Sequence, residues 1–241
     1  MTSYDRRRPQ TVDAKDVVGS IRNWQDRASD SCLTILLVLE VCAIFAAAPL
    51  AARGLPIARV ISEALVIAVL VIVVMLSRRW AAITLIVLGL VATAASFWPL
   101  AERPQSWTSL LRRGGEIVAF LALIWVVAHA VYAPGRITSR RLQGAAVLYL
   151  SLGTTFAAAF GLIWELHPDA FANLVTPAGG PEEAGTMMYF SLTTLTTTGY
   201  GDIVPVDPLA RSLANLEAVL GQFYLAITVA RLVTLELQDR R

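Results

Sequence analysis

Residues 193–202 read Thr-Thr-Leu-Thr-Thr-Thr-Gly-Tyr-Gly-Asp, a run whose types and order suit it to taking water off a cation. An ion gives up its hydration shell only where a ring of oxygens replaces it at every step, so consecutive backbone carbonyls must all face one narrow axis. An ordinary strand alternates from residue to residue and cannot do this. Gly199 and Gly201 take positive φ at little steric cost, which lets successive peptide planes turn the same way. Thr197 would add a hydroxyl oxygen at the innermost position. Tyr200 would point its ring away from the axis and brace the run against Tyr189 and Phe190, while Asp202 closes the outer end with its carboxylate near the mouth.

Such a run needs a support that holds it at depth. Residues 186–197 are apolar but number only 12, too few to cross a bilayer, and predict a re-entrant helix whose negative C-terminal end is aimed at the axis. Around them lie longer apolar spans at 31–50, 60–76, 80–100, 116–132, 142–165 and 209–237, each near the length a hydrocarbon core requires. With 56% hydrophobic and 16% charged residues against about a quarter charged in soluble domains, the chain is not an ordinary soluble enzyme. Asp207-Pro208 reads as the N-cap and first residue of the last span. Cys32 and Cys42 lie ten residues apart on one helix, about 15 Å of rise, too far for a disulfide; they read as small buried apolar residues.

The net charge of +2 conceals a partition. Six crossings put both termini on one side, and with that side cytoplasmic it holds thirteen basic residues, against Arg53, Arg59, Arg103, Arg112 and Arg113 in outer loops. Residues 142–210 contain no Lys or Arg, yet carry Glu165, Asp169, Glu182, Glu183, Asp202 and Asp207. An acidic outer vestibule concentrates cations; a solvated acidic loop would look the same. Within the polar residues 1–30, Val17, Ile21, Trp24 and Ala28 recur at helical spacing, as in an interfacial amphipathic helix or a solvated tail.

A Thr-rich short apolar helix, then Gly-Tyr-Gly-Asp, set between two full spans, resembles the selectivity filter of tetrameric potassium channels. The resemblance implies K+ bound at Thr197, Thr198, Gly199 and Tyr200, with Gly201 completing the filter and Asp202, Tyr189, Phe190, Thr193 and Glu217 supporting it. Gly221, 20 residues after Gly201, matches the hinge glycine of the family's inner helix, or else serves close helix packing. Gln222, Leu225, Val229, Val233 and Leu237 would then face the cavity and inner gate. Each chain supplies one filter strand, so a closed pore requires a homotetramer. Thr198 departs from the family's usual Val or Ile, and Thr193 from the Glu that in some bacterial members pairs with the Asp after the filter.

The six-span plan resembles voltage-gated potassium channels, but residues 116–132 contain no Arg or Lys, so the membrane potential has little to act on there. Glu40 and Glu63 inside spans read as regulatory carboxyls or as hydrogen-bonded structural pairs. Glu217 reads as a brace on the short helix or a plain buried pair. Arg231 either snorkels to lipid headgroups or sets the charge of the gate, and His129 lies near the cytoplasmic end of the fourth span.

The expected architecture is an all-α membrane protein of six transmembrane helices plus a re-entrant pore helix, assembled as a four-fold tetramer in a bacterial inner membrane with both termini cytoplasmic. Residues 1–30 form a cytoplasmic segment, 31–133 a four-helix module and 142–238 the pore domain. The expected activity is passive K+ conduction with little voltage sensing; a subunit of an uptake transporter and a non-conducting sensor on a channel scaffold are the alternatives. No catalytic dyad, nucleotide-binding glycine loop or metal cluster is present, so the reading is of a non-enzyme without cofactors beyond permeant K+. Its partners are the lipid bilayer and its own copies, with no nucleic acid and no soluble ligand-binding domain.

Overall fold

The computed structural model describes residues 33–47, 49–50, 105–132, 139–174 and 182–239. The segment 1–30, the expected spans at 60–76 and 80–100, Cys32 and Glu63 lie outside them. Two helices among the described residues are long and apolar enough to cross a membrane, Leu142–Leu166 and Pro208–Arg231.

Helix α1 covers Leu33–Ala47 and ends in a π-helical turn at Ala43–Ala47. Cys42 is a free thiol on its exposed side, not buried as expected. Helix α2, Gln105–Val131, starts well before the expected span at 116, because nothing between Gln105 and Glu116 breaks a helix except Gly114 and Gly115, which a helix tolerates. Arg112 and Arg113 are therefore helical residues and not part of an outer loop. Helix α3 is Ser139–Leu166, the short helix α4 is Glu183–Leu195, and α5 is Pro208–Asp239, 32 residues and about 48 Å long.

The architecture is not purely helical. Phe171–Ala172 (β1) and Val204–Pro205 (β2) form a two-residue antiparallel ladder, Phe171 opposite Pro205 and Ala172 opposite Val204. The chain after the Gly-Tyr-Gly run cannot be helical through Pro205 and Pro208, so its backbone groups pair across to the segment following α3. The amide of Val206 continues the tie by donating to the Ala170 carbonyl at 2.8 Å. Asp207 Oδ1 then caps α5, accepting from the Leu209 and Ala210 amides at 2.8 and 3.2 Å, with Pro208 as first helical residue.

Helix α3 is the shared wall of two cores. Its first half, with Ala145, Val147 and Leu148, packs on Leu33 and Leu36 of α1 and on Phe120, Leu123 and Val127 of α2. Its second half, with Phe156, Phe160, Ile163 and Trp164, packs on Met187 and Phe190 of α4 and Ala210 and Ala214 of α5. Phe160, Phe171 and Phe190 meet edge to face at centroid distances of 4.9 to 6.0 Å.

A buried ion cluster joins these cores at the start of α4. Arg113 Nη2 donates to Glu183 at 2.6 Å, its Nε to Glu165 at 3.2 Å and its Nη1 to Glu116 at 3.3 Å. Glu183 also lies in the first turn of α4, where the helix dipole favours an anion. Gly161 makes the room: a Cβ there would come within 2.9 Å of Glu183 Oε1 and 3.2 Å of Arg113 Cζ.

Candidate functional site

Helix α4 ends in a Schellman motif, and the Gly-Tyr-Gly run grows directly out of it. The Thr198 amide donates to the Thr193 carbonyl at 2.8 Å and the Thr197 amide to the Thr194 carbonyl at 2.9 Å. The position after the cap requires a left-handed backbone and is usually glycine; here Thr197 occupies it at φ 56°. For a β-branched residue that conformation is a true outlier, of the kind retained at functional sites. The Thr197 hydroxyl is held from two directions, donating to the Thr196 carbonyl at 2.7 Å and accepting from Gln222 Nε2 at 3.1 Å.

Positive φ recurs at every second residue, at Thr197, at Gly199 (53°) and at Gly201 (78°), but not at Thr198 or Tyr200. This alternation of backbone hand turns successive peptide planes to one side, the condition for a row of carbonyls along one axis. The sequence predicts it at the two glycines alone; the Thr197 contribution follows from the helix cap, which the Thr-rich sequence does not advertise. A Cβ on Gly199 or Gly201 would meet nothing within 4 Å, so the glycines answer to conformation and not to space inside the chain.

The expected supports separate into two groups. Tyr189 stacks parallel on Tyr200 at 6.3 Å between centroids, and its hydroxyl donates to Asp202 Oδ2 at 2.7 Å. Phe190 does not face Tyr200 as expected. One residue is a 100° step around a helix, so with Tyr189 toward the run Phe190 turns into the aromatic core against Phe160. Thr193 contributes its carbonyl, which takes the Thr198 and Gly199 amides. The hydroxyl of Thr198 lies 2.9 Å from that of Thr196.

Hydrogen bonding by Tyr189 holds the exposed Asp202 carboxyl below the ordinary carboxylate range. Because that value is depressed, the contribution of this contact is present above the ordinary carboxylate pKa and is lost as pH falls through the lowered one. In Tyr189→Phe the Asp202 carboxyl is expected to titrate at higher pH, as followed by infrared titration of its carboxyl bands; superimposable titrations for variant and wild type would remove Tyr189 from this role.

Behind the run, Glu217 of α5 is fully buried and contacts the Ser191 hydroxyl of α4. One turn on, Gly221 lies against the end of α4, where a Cβ would overlap the Leu195 carbonyl oxygen. That geometry is close packing. Gly221→Ala is expected to cost about 1–3 kcal/mol by overpacking, read as a lower unfolding midpoint in detergent; an unchanged midpoint would remove close packing as the reason for a glycine here.

Gln222, Leu225 and Val229 lie on the exposed side of α5; the Val233 and Leu237 side chains lie outside the description. Arg231 is anchored inside the chain, its guanidinium 4.8 Å over the Tyr132 ring and Nη2 donating to the Tyr132 carbonyl at 2.8 Å. The sequence alone points this residue to lipid or gate; its partner at the end of α2 has no linear signal in the chain. His129 is exposed beside Trp125. Glu40 is buried and accepts from the Ser151 hydroxyl of α3 at 2.7 Å, the structural pairing that sequence alone left without a partner.

Residues 144–237, covering α3, α4, the Gly-Tyr-Gly run and α5, match a family model described as an ion channel. The chain is similar to the inward rectifier potassium channel Kirbac3.1 of Paramagnetospirillum magnetotacticum, 32% identical over 83 residues, which is 34% of this chain and 25% of that protein. It is also similar to two pore potassium channel c of Oryza sativa subsp. japonica, 31% identical over 93 residues, 38% of this chain and 18% of that protein. The chain thus spans a quarter or less of the length of these curated relatives. No solved structure gives a significant match. Residues 144–237, 94 of the 241, are thus similar to an ion-channel domain.

Proposed function

We propose that this protein is a K+-selective channel in which four copies bring their residues 197–201 around one axis. The observation that carries the reading is the alternation of positive φ at Thr197, Gly199 and Gly201 directly beyond the C-terminal end of a short supported helix. Four such strands give rings of carbonyls that replace the water of a K+ ion, with the Thr197 hydroxyls lowest. The exposed apolar residues of α5, including Leu216, Val219, Phe223 and Ile227, supply surface for neighbouring copies and lipid. The relatives named above are potassium channels, which supports the choice of ion.

Conduction is passive and weakly voltage-dependent. Arg112 and Arg113 are the arginines of α2, which has no lysine; they stand in its first third, and Arg113 is fixed by three carboxylates, so α2 lacks a mobile ladder of charge. Both termini are cytoplasmic and the acidic stretch faces outward. The test is reconstitution into planar bilayers under opposed K+ and Na+ gradients. A reversal potential that follows the K+ gradient is expected; one that ignores it ends the selectivity claim, and steep activation by voltage ends the claim about α2.

A further inference from the structure

Counting protons at the junction of α3, α4 and α5 identifies a charge state. The Ser191 hydroxyl lies 2.7 Å from the Gly153 carbonyl oxygen of α3 and in close contact with Glu217 Oε1 of α5. A hydroxyl carries one proton, and a carbonyl only accepts. With Glu217 ionised, Ser191 would face two acceptors with one proton, leaving a pair of oxygens in contact with nothing between them. With Glu217 protonated both contacts are satisfied: the carboxylic acid donates to Ser191 Oγ, and Ser191 donates to Gly153.

The surroundings agree. Ser191 and Glu217 are both fully enclosed within one chain, so assembly does not change their exposure to water. Glu217 Oε2 has no hydrogen-bond partner among the described residues. An ionised carboxylate there would leave a charged oxygen buried and unsatisfied, which costs far more than a neutral one.

We infer that Glu217 is a positioning residue held as a neutral carboxylic acid, whose proton ties α5 through Ser191 to α3 and fixes α4, from which the Gly-Tyr-Gly run springs. It sits one turn before Gly221, so the hydrogen-bond chain and the close contact of Gly221 with Leu195 clamp the same stretch of α4. The role in conduction rests on the channel reading; the location of the proton does not.

The experiment is infrared spectroscopy on the full chain, purified in detergent and in proteoliposomes. The wild-type minus Glu217→Gln difference spectrum is expected to contain the carbonyl stretch of a protonated carboxylic acid, moving to lower frequency in D2O. A difference containing only carboxylate bands overturns the proposal. Ser191→Ala supplies a second handle, since loss of the hydrogen-bond partner moves the band without abolishing it; an unmoved band overturns the assignment to this contact. In flux assays Glu217→Gln, which keeps a neutral donor, is expected to retain K+ flux within about twofold while Glu217→Ala loses it at least tenfold; equal loss in both overturns the positioning role. A wild type with the band but without K+-selective flux sinks the channel reading alone, and a conducting wild type without the band sinks this one alone.

Discussion

Gly199→Ala is expected to abolish K+ flux while the chain still folds and assembles. At φ 53° an alanine pays for a left-handed backbone that glycine adopts freely, about 1–2 kcal/mol. Nothing within 4 Å opposes its Cβ inside the chain, so the protomer tolerates the change by letting the peptide relax away from positive φ. That relaxation turns a carbonyl off the axis. In the proposed ring of four the penalty for keeping every strand in the conducting form sums to about 4–8 kcal/mol, which at about 1.4 kcal/mol per decade is a loss of about three to six decades. Flux from K+-loaded proteoliposomes, with assembly checked by gel filtration, measures it; a variant that assembles and conducts K+ within tenfold of wild type would show that positive φ at Gly199 is dispensable.

Thr197 makes the same point from the opposite side. It adopts a left-handed backbone although it is β-branched, and the strain is held by the Schellman bonds of α4 and by Gln222. How far this was legible in the sequence depends on the range of the interaction. Gly199, Gly201, the Asp207-Pro208 cap and the short helix are set by neighbours a few residues away, and linear reading placed them within a few residues. The Ser151 partner of Glu40, the Glu183 partner of Arg113 and the Tyr132 partner of Arg231 lie 111, 70 and 99 positions away, and no periodicity connects them. Phe190 illustrates an intermediate case: the helix was foreseen, but which of two adjacent aromatics faces the run depends on helical phase against α3, which only packing decides.

Arg113→Met should be the most destabilising substitution in the part of the chain described. The guanidinium is buried, and it is shared by Glu116, Glu165 and Glu183, so its removal takes a cation away from three carboxylates, two of them buried. Breaking a buried pair in this way costs about 3–5 kcal/mol, whereas replacing both members by apolar groups of similar size is often nearly neutral. The cluster therefore predicts a specific order. Arg113→Met lowers the unfolding midpoint most, Glu183→Met follows, and the double substitution recovers part of the loss, with a coupling of about 0.5–3 kcal/mol in a double-mutant cycle. Strict additivity would mean that the contact seen at 2.6 Å carries no energy of its own. On the proposed channel reading the same order should appear in transport, because Glu183 opens α4 and α4 ends in the Gly-Tyr-Gly run: loosening the first turn frees the whole helix to tilt, and the proposed carbonyl rings lose register before the chain unfolds.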